Sequence, residues 1–405
     1  MDLWLESEPP YVGTYLNRYD TMNASPVESL YVHVPFCAKK CSYCAFYSKA
    51  ADDKLVDRYV DALVRELEIV ADDLRPRTLF FGGGTPSLLN LRQWETILTA
   101  MRRLNLTGLE EWTVESNPAT VSLDKARLLR DAGVNRMSMG AQSFHPGLLA
   151  RLGRVHSREM IFKSYDILRA AGIENVSLDL MFAIPGQTLE MWQQTVSEAL
   201  ALESEHLSCY ELIYEEDTPF FEQLQAGRSA INEDLACAMY EELLASASAA
   251  GYTQYEVANF ARIQAADSGE VPQLACHHNI NYWRGGWYHG LGPSAASYVN
   301  GVRAKNRSDT VAYCESLEHG ERAFEYTEEL SPMRRAGELA AFGLRMASGW
   351  PLKLFKQRTG FVLTQEWASE IERLSGLGYA NLEPGRFRLT PKGLRFAGAA
   401  ELFLR

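Results

Sequence analysis

No stretch of the 405-residue chain approaches the ~18 consecutive apolar residues that suggest a membrane span. The opening MDLWLESEPP has neither the basic start nor the apolar run of a secretion signal. Cysteine is scarce. There are seven, an odd number, three of them packed between positions 37 and 44 and four scattered. That usage excludes the disulfide framework of a small secreted domain and fits a reducing compartment and metal chemistry. Positive charge is also in deficit: Lys and Arg total 40 against 52 Asp and Glu, a formal net charge of −12. An acidic surface disfavours unspecific attraction to nucleic acid or anionic lipid. Internal repeats and low-complexity tracts are absent too. These absences predict a cytoplasmic protein with no nucleic-acid partner and no stable membrane anchor.

What is present is ordinary in bulk and informative in order. A composition 46% apolar and 23% charged is that of a globular chain, and its length suggests roughly two to three domains. From about residue 30 to 250, β-rich runs alternate with helical patterns. Strands are predicted at LYVHVPF (30–36), TLFFGG (78–83), EWTVES (111–116), NRMSMGAQ (135–142), NVSLDLMF (175–182) and HLSCYELI (206–213). Amphipathic stretches at 54–70, 91–104, 122–132, 158–171, 189–202 and 232–250 separate them, with Gly133, Gly172 and Gly251 as stops after three. Six such alternations predict an α/β fold with a parallel sheet and right-handed crossovers. The strands read as mostly apolar on both faces, as in a sheet covered on both sides or curled into a barrel. Reactive loops of such a fold lie at the strand C-termini. Four segments are expected: an N-terminal extension at 1–28, the α/β unit at 29–250, an aromatic and Gly-rich region at 251–325, and a C-terminal unit at 326–405. The last ends in GYANLEPGRFRLTPKGLRF, a hairpin followed by a helix, which suggests a winged-helix-like module serving for packing.

The strongest motif follows the first strand directly: Cys37-Ala-Lys-Lys-Cys41-Ser-Tyr-Cys44. Three thiolates on one loop can hold three irons of a cubane cluster and leave the fourth open. Structural zinc and three unrelated core cysteines are the competing readings. Zinc wants a fourth Cys or His at matching spacing, and the chain has no second CxxC and no HxxxH. Gly82-Gly83-Gly84-Thr85-Pro86 ends the second strand. Such a run lets backbone approach a ligand, or simply makes a tight turn. No Gly-Lys-Ser/Thr follows it, so it is not a phosphate loop. Glu115, Gln142, Arg154 and Asp179 each sit at or after a strand end. Arg154 can pair with a carboxylate, and Glu115 and Asp179 can accept from an ammonium or hydroxyls; tying loops together is the alternative role. Farther on comes Cys276-His277-His278-Asn279-Ile280-Asn281-Tyr282-Trp283. Neutral imidazole is a common axial ligand of haem iron, and Tyr and Trp offer flat faces to a porphyrin. A buried, hydrogen-bonded packing histidine is the competing reading. No CxxCH is present, so covalent c-type attachment is not implied.

The cysteine loop is similar to that of the radical SAM enzymes, and YVHVPFCAKKCSYC resembles the branch containing the oxygen-independent coproporphyrinogen III oxidases and the HemW-type haem chaperones. The resemblance spans about residues 29–400. It implies a partial (β/α)6 TIM-like barrel, a small α+β region and the C-terminal winged-helix-like module. It implies a [4Fe–4S] cluster on Cys37, Cys41 and Cys44, whose open iron chelates S-adenosyl-L-methionine (SAM), with cleavage to a 5′-deoxyadenosyl radical in the superfamily. It carries over Tyr31, Gly82, Gly83, Gly84, Thr85, Glu115, Gln142, Arg154 and Asp179 as SAM-contacting positions. His278, Asn279, Tyr282 and Trp283 match the HNxxYW pattern of the chaperone branch, which implies haem at that motif and haem-accepting proteins as partners.

One departure divides the branch. The oxidases carry a further cysteine two residues after the last cluster ligand, where this chain has Phe46, and they carry a longer N-terminal segment. Both features point to a protein that binds and delivers haem. Two alternatives remain: an oxygen-independent coproporphyrinogen III dehydrogenase, and a radical SAM methyltransferase or haem-degrading enzyme of the same branch.

Overall fold

The computed structural model describes residues 26–267 and 269–396, so the expected short N-terminal extension lies outside the described residues up to position 25. Strand β1 (Val27–Val34) leads into the cysteine loop, which is pinched by the parallel pair β2 (Phe36–Cys37) and β3 (Lys49–Ala50). Then follow β4 (Leu74–Gly83), β5 (Glu111–Ser116), β6 (Arg136–Gln142), β7 (Asn175–Phe182) and β8 (His206–Glu211). The order β1-β4-β5-β6-β7-β8 is parallel throughout, as six strand–helix alternations require.

Residues after 250 extend this sheet at both edges. Strands β9 (Tyr252–Gln254) and β10 (Asn259–Arg262) run antiparallel beyond β8. Strand β11 (Tyr288–Leu291) lies parallel to β1, followed outward by antiparallel β12 (Ala296–Val299), β13 (Val302–Asn306) and β14 (Phe324–Glu329). The twelve-stranded sheet ends at β14 on one side and β9 on the other, so the barrel is partial.

The helices fall where apolar periodicity put them, at Asp53–Val70, Leu91–Arg103, Leu123–Ala132, Arg158–Ala170, Leu189–Ala201 and Glu233–Ala249. Their starts are set by side-chain caps: Asp52 accepts from the Leu55 N–H, and Asn90 and Gln93 form a reciprocal capping box. Gly133 ends its helix at φ +113°, where a Cβ would be strained.

The two faces of the parallel strands differ, contrary to the reading of strands apolar on both. Leu30, Val32, Leu79, Phe81, Trp112, Val114, Met137, Met139, Val176 and Leu178 pack outward under the helices as one continuous core. The alternate positions fill the barrel interior with polar groups: Ser29, Thr78, Glu111, Thr113, Arg136, Ser138, Ser177, His206 and Ser208 are all buried. A period of two permits this because successive side chains point to opposite faces. The outward face supplies most of the apolar burial of these strands, with Met181 an exception on the inner face.

The C-terminal unit has its own core around Trp350, Phe355, Trp367 and Phe387. Helices Pro332–Gly343, Leu352–Thr359 and Ala368–Gly376 precede the hairpin β16 (Ala380–Glu383) and β17 (Arg386–Leu389), with β15 (Trp350–Pro351) paired to β17. This is the expected winged-helix-like arrangement. Trp350 Nε1 donates to the carbonyls of Leu339 and Ala340 at 3.0 and 3.1 Å.

One buried carboxylate fastens the outer strands to the barrel. Glu66, on helix Asp53–Val70, accepts from the Gly292 N–H (2.8 Å), Asn306 Nδ2 (2.8 Å) and the Tyr313 hydroxyl (2.7 Å). Glu66→Ala leaves the Gly292 N–H and the Tyr313 hydroxyl without this acceptor, each costing ~1–3 kcal/mol, and reduces Asn306 Nδ2 to its 3.0 Å bond with the Gly292 carbonyl. We expect a loss of about 3 kcal/mol or more in urea unfolding, with Glu66→Gln losing less. An unchanged midpoint for Glu66→Ala would show that the strands are held by other contacts.

Candidate functional site

The upper mouth of the barrel is built from β-strand C-termini and the cysteine loop. Cys37, Cys41 and Cys44 are half-buried on one loop. The loop is held from two sides, by the Ser42 N–H on the Leu152 carbonyl (3.0 Å) and the Phe220 N–H on the Ser42 carbonyl (3.1 Å). Two donors reach its sulfurs: Thr85 Oγ1 to Cys37 Sγ and Arg154 Nη1 to Cys41 Sγ, both at 3.6 Å. Burial raises the Cys44 thiol, and the other two thiols add to the rise. Among the described residues no three His, Cys, Asp or Glu side chains converge as a site for a single metal ion. A cubane takes each thiolate on a different iron, so three thiols on one loop fit it without convergence on one point.

Arg154 reaches past the loop to donate to the Gly140 carbonyl at 2.7 Å, and its Nε is buried without a partner among the described residues. A cation with an unused donor beside three thiols suits a carboxylate. Gln142, at φ +64° on the end of β6, lies against the same Gly140. The Gly83 N–H donates to Glu115 Oε2 at 3.1 Å. The glycine run has a packing reason of its own: a Cβ on Gly83 would sit 2.4 Å from the His33 ring, and one on Gly84 2.6 Å from the Phe36 carbonyl oxygen.

Asp179 lies in the middle of β7 rather than at its end. It accepts from Ser138 Oγ at 2.9 and 3.0 Å and from Ser177 Oγ at 3.3 Å. Glu115 and Asp179 share the interior. Burial lifts Glu115 to about 8, and the Asp179 charge pushes the same way. A carboxyl so placed favours a cationic neighbour. Below them, Tyr31 on β1 packs beside Phe80 (ring centroids 6.2 Å apart) and bonds through its hydroxyl to His33 Nδ1 (3.1 Å).

The HNxxYW motif sits at the other end. Helix His277–Trp283 closes the barrel floor beneath the N-termini of β4, β5 and β6. Glu111, first residue of β5, accepts from the backbone N–H groups of His277 (2.7 Å) and His278 (2.9 Å). His278 points up the barrel interior, 1% exposed, and stacks on Phe80 at 5.3 Å. Its Nδ1 meets Thr78 Oγ1 at 3.0 Å and its Nε2 meets the Tyr282 hydroxyl at 2.7 Å. Burial first, then the Arg136 charge, lowers it to about 3, so the ring is neutral. His277 is exposed instead, and Asn279 is half-buried on the same helix. Tyr282 and Trp283 line a cleft of about 370 Å³ with Tyr31, Tyr288, Tyr298 and Phe342, between the barrel edge and helix Pro332–Gly343.

The structure thus groups the predicted residues into two sets. Cys37, Cys41, Cys44, Gly82, Gly83, Gly84, Thr85, Glu115, Gln142 and Arg154 surround the upper mouth. His278, Asn279, Tyr282 and Trp283 lie on the floor helix, with Tyr31 and Phe80 between the sets. His33, Thr78, Phe80, Glu111 and Arg136 were not singled out in the sequence. The period-two alternation of their strands was the available signal.

Residues 31–199 match the Radical SAM superfamily, and residues 330–396 match the HemN C-terminal domain. The chain is 34% identical to the "Heme chaperone HemW" of Bacillus subtilis over 91% of its own length and 96% of the relative's. It is 34% identical to the protein of that name from Lactococcus lactis, covering 90% and 94%. It is 32% identical to the "Radical S-adenosyl methionine domain-containing protein 1, mitochondrial" of Danio rerio, covering 90% and 84%. Among solved structures, the coproporphyrinogen III oxidase HemN of Escherichia coli superposes with a TM-score of 0.78 at 22% identity, covering 94% of this chain and 90% of that one, a likeness of fold. No helix among the described residues is long and apolar enough to cross a membrane.

Glu115 makes a pH prediction. An unfolded glutamate ionises near about 4.3, whereas the folded side chain keeps its proton up to about 8. Across that window the folded state holds a proton that the unfolded chain has lost, so its stability falls as pH rises. Glu115→Gln stays neutral and should flatten the fall, by an amount on the order of a few kcal/mol between pH ~5 and ~8. Thermal unfolding at both pH values checks this; parallel curves for the two proteins would exclude Glu115 as the group.

Proposed function

The chain belongs to the HemW family of radical SAM proteins, and from that premise we propose that it is a haem chaperone. It binds haem, passes it to acceptor proteins, and carries a [4Fe–4S] cluster on Cys37, Cys41 and Cys44 with SAM at the cluster's open iron. The carrying observation is the position of His278: a neutral imidazole behind an aromatic cleft, stacked on the same Phe80 that neighbours Tyr31 below the upper mouth.

The chain's own residues fit these groups. At the upper mouth Arg154 offers its unpartnered Nε to the SAM carboxylate. Glu115 and Asp179 offer carboxylates to its cationic and hydroxyl groups, with Gln142 and Thr85 beside them. The cluster and SAM, when bound, supply one-electron chemistry at a sulfonium. Phe46 is 68% exposed beside this loop, an apolar side chain where the oxidases resembled by this chain carry a thiol. That departure favours the chaperone over the coproporphyrinogen oxidase.

At the floor, His278 would hold haem iron through Nε2, with Nδ1 keeping its proton and donating to Thr78 Oγ1. Such a second partner fixes a ligating ring's tautomer. Tyr282 would then give up its 2.7 Å contact with Nε2. Its ring remains as a face for the porphyrin, with Trp283 beside it.

Replacing Cys37, Cys41 or Cys44 with Ala should abolish the broad visible absorption of the reconstituted cluster, whereas Cys209→Ala and Cys314→Ala, buried in the core, should keep it. A full cluster in any of the first three would overturn the ligand assignment.

In haem titrations, His278→Ala should shift the Soret band and weaken retention about tenfold or more, the scale of a lost strong contact. Cys276→Ala should have a smaller effect. Tyr282→Phe keeps the ring and frees Nε2, so haem should bind at least as tightly as to the unaltered chain. Identical spectra for the unaltered protein and His278→Ala would move the ligand elsewhere.

A further inference from the structure

We infer that Arg335 anchors a carboxylate of a flat aromatic macrocycle held in the cleft between the barrel edge and helix Pro332–Gly343. The inference rests on the haem-binding reading and deepens it by naming what recognises the propionate edge.

The cleft's walls are aromatic, supplied by Tyr31, Tyr282, Trp283, Tyr288, Tyr298 and Phe342. Such faces stack well on a planar ligand. Its charged residues are Arg303, Arg335 and Glu338. Arg303 is committed, bonded to Glu338 at 2.7 Å and Glu328 at 3.2 Å. Arg335 has no carboxylate within ion-pair distance among the described residues, and it is half-buried. Its guanidinium faces the Tyr298 hydroxyl and lies over Gly301, where a Cβ would come within 2.5 Å of Nη1. Gly301, at φ +84° in the turn between β12 and β13, therefore leaves room for the arginine. A fixed guanidinium with unused donors at the rim of an apolar cleft is suited to bidentate carboxylate binding.

The larger cavity of about 800 Å³, on the barrel floor, has the opposite character. Glu110, Glu111, Glu174 and Glu205 outnumber Arg130 and Arg262 there, so it offers no surplus of cations to a dianionic ligand. Charge therefore separates the two cavities, although exposed His277 lines the larger one.

The test compares haem with its dimethyl ester, in which both propionates are neutral, by absorption titration of the full-length, cluster-loaded protein. The unaltered chain should prefer the diacid about tenfold or more, the scale of a charge-assisted contact. Arg335→Gln should bring that preference close to one while leaving ester affinity unchanged. Arg335→Lys should restore part of it, and Arg262→Gln, in the floor cavity, should keep all of it. If Arg335→Gln retains the full preference while haem binding still depends on His278, the anchor is wrong and the haem reading stands. If the unaltered protein binds neither form, the haem reading falls and the anchor with it.

Discussion

A buried carboxylate closes the barrel, and much of the site geometry follows from it. Glu111 begins β5 and accepts from two successive backbone N–H groups of helix His277–Trp283, with the Cys276 sulfur against the same group. Those N–H groups belong to a helix start, which has unsatisfied donors by construction. The carboxylate satisfies them across 166 residues of sequence. Arg136, on the neighbouring strand, lies close enough for their charges to interact. Charged groups in so dry an interior persist only when paired and hydrogen-bonded. The helix is therefore held in one orientation, and that orientation sends His278 upward against Phe80.

Two consequences follow for the chemistry. The cysteine loop and the histidine motif occupy opposite ends of one barrel, yet they share a wall. Phe80 stacks on His278 and neighbours Tyr31, whose hydroxyl bonds to His33; the His33 ring lies against Gly83, whose N–H holds Glu115. A chain of packed rings and hydrogen bonds thus links the floor to the upper mouth. Close-packed interiors transmit displacement, so any shift of His278 would bear on Phe80 and through it on Tyr31. Contact through Phe80 is one physical route that joins the two ends.

Much of the fold was legible in the sequence because its local signals agree. Apolar periodicity, caps at Asp52, Asn90 and Ser122, and a glycine stop at 133 all specify the same elements, and the barrel helices fall within one or two residues of their expected ends. The upper mouth was legible for a similar reason: loops at strand C-termini carry the polar groups of such a fold. The interior was not. Ser29, Thr78, Thr113 and Ser177 each look unremarkable beside Leu and Val, and only the strand period separates lumen from core. Pairings such as Glu111 with the His278 N–H, or Thr78 with the histidine ring, join distant segments and leave no local trace. The extension of the sheet at both edges by residues after 250 is non-local in the same way.

The likeness to an oxidase fold and the identity to haem chaperones make the same point about where function resides. The overall architecture is shared with HemN at a TM-score of 0.78, so architecture cannot separate decarboxylation from delivery; particular side chains must. A porphyrin substrate that reacts has to be held with its reacting carbon near the upper mouth. A porphyrin that is only carried needs a ligand for its iron, faces for its ring and release on demand. The floor motif fits the second requirement: His278 is neutral and oriented by Thr78, yet covered by a tyrosine hydroxyl that competes for the same nitrogen. Under the proposed reading, a haem bound there would displace that hydroxyl, and its release would let the hydroxyl return. Such a competing bond would weaken the hold on the iron, as reversible carriage would require.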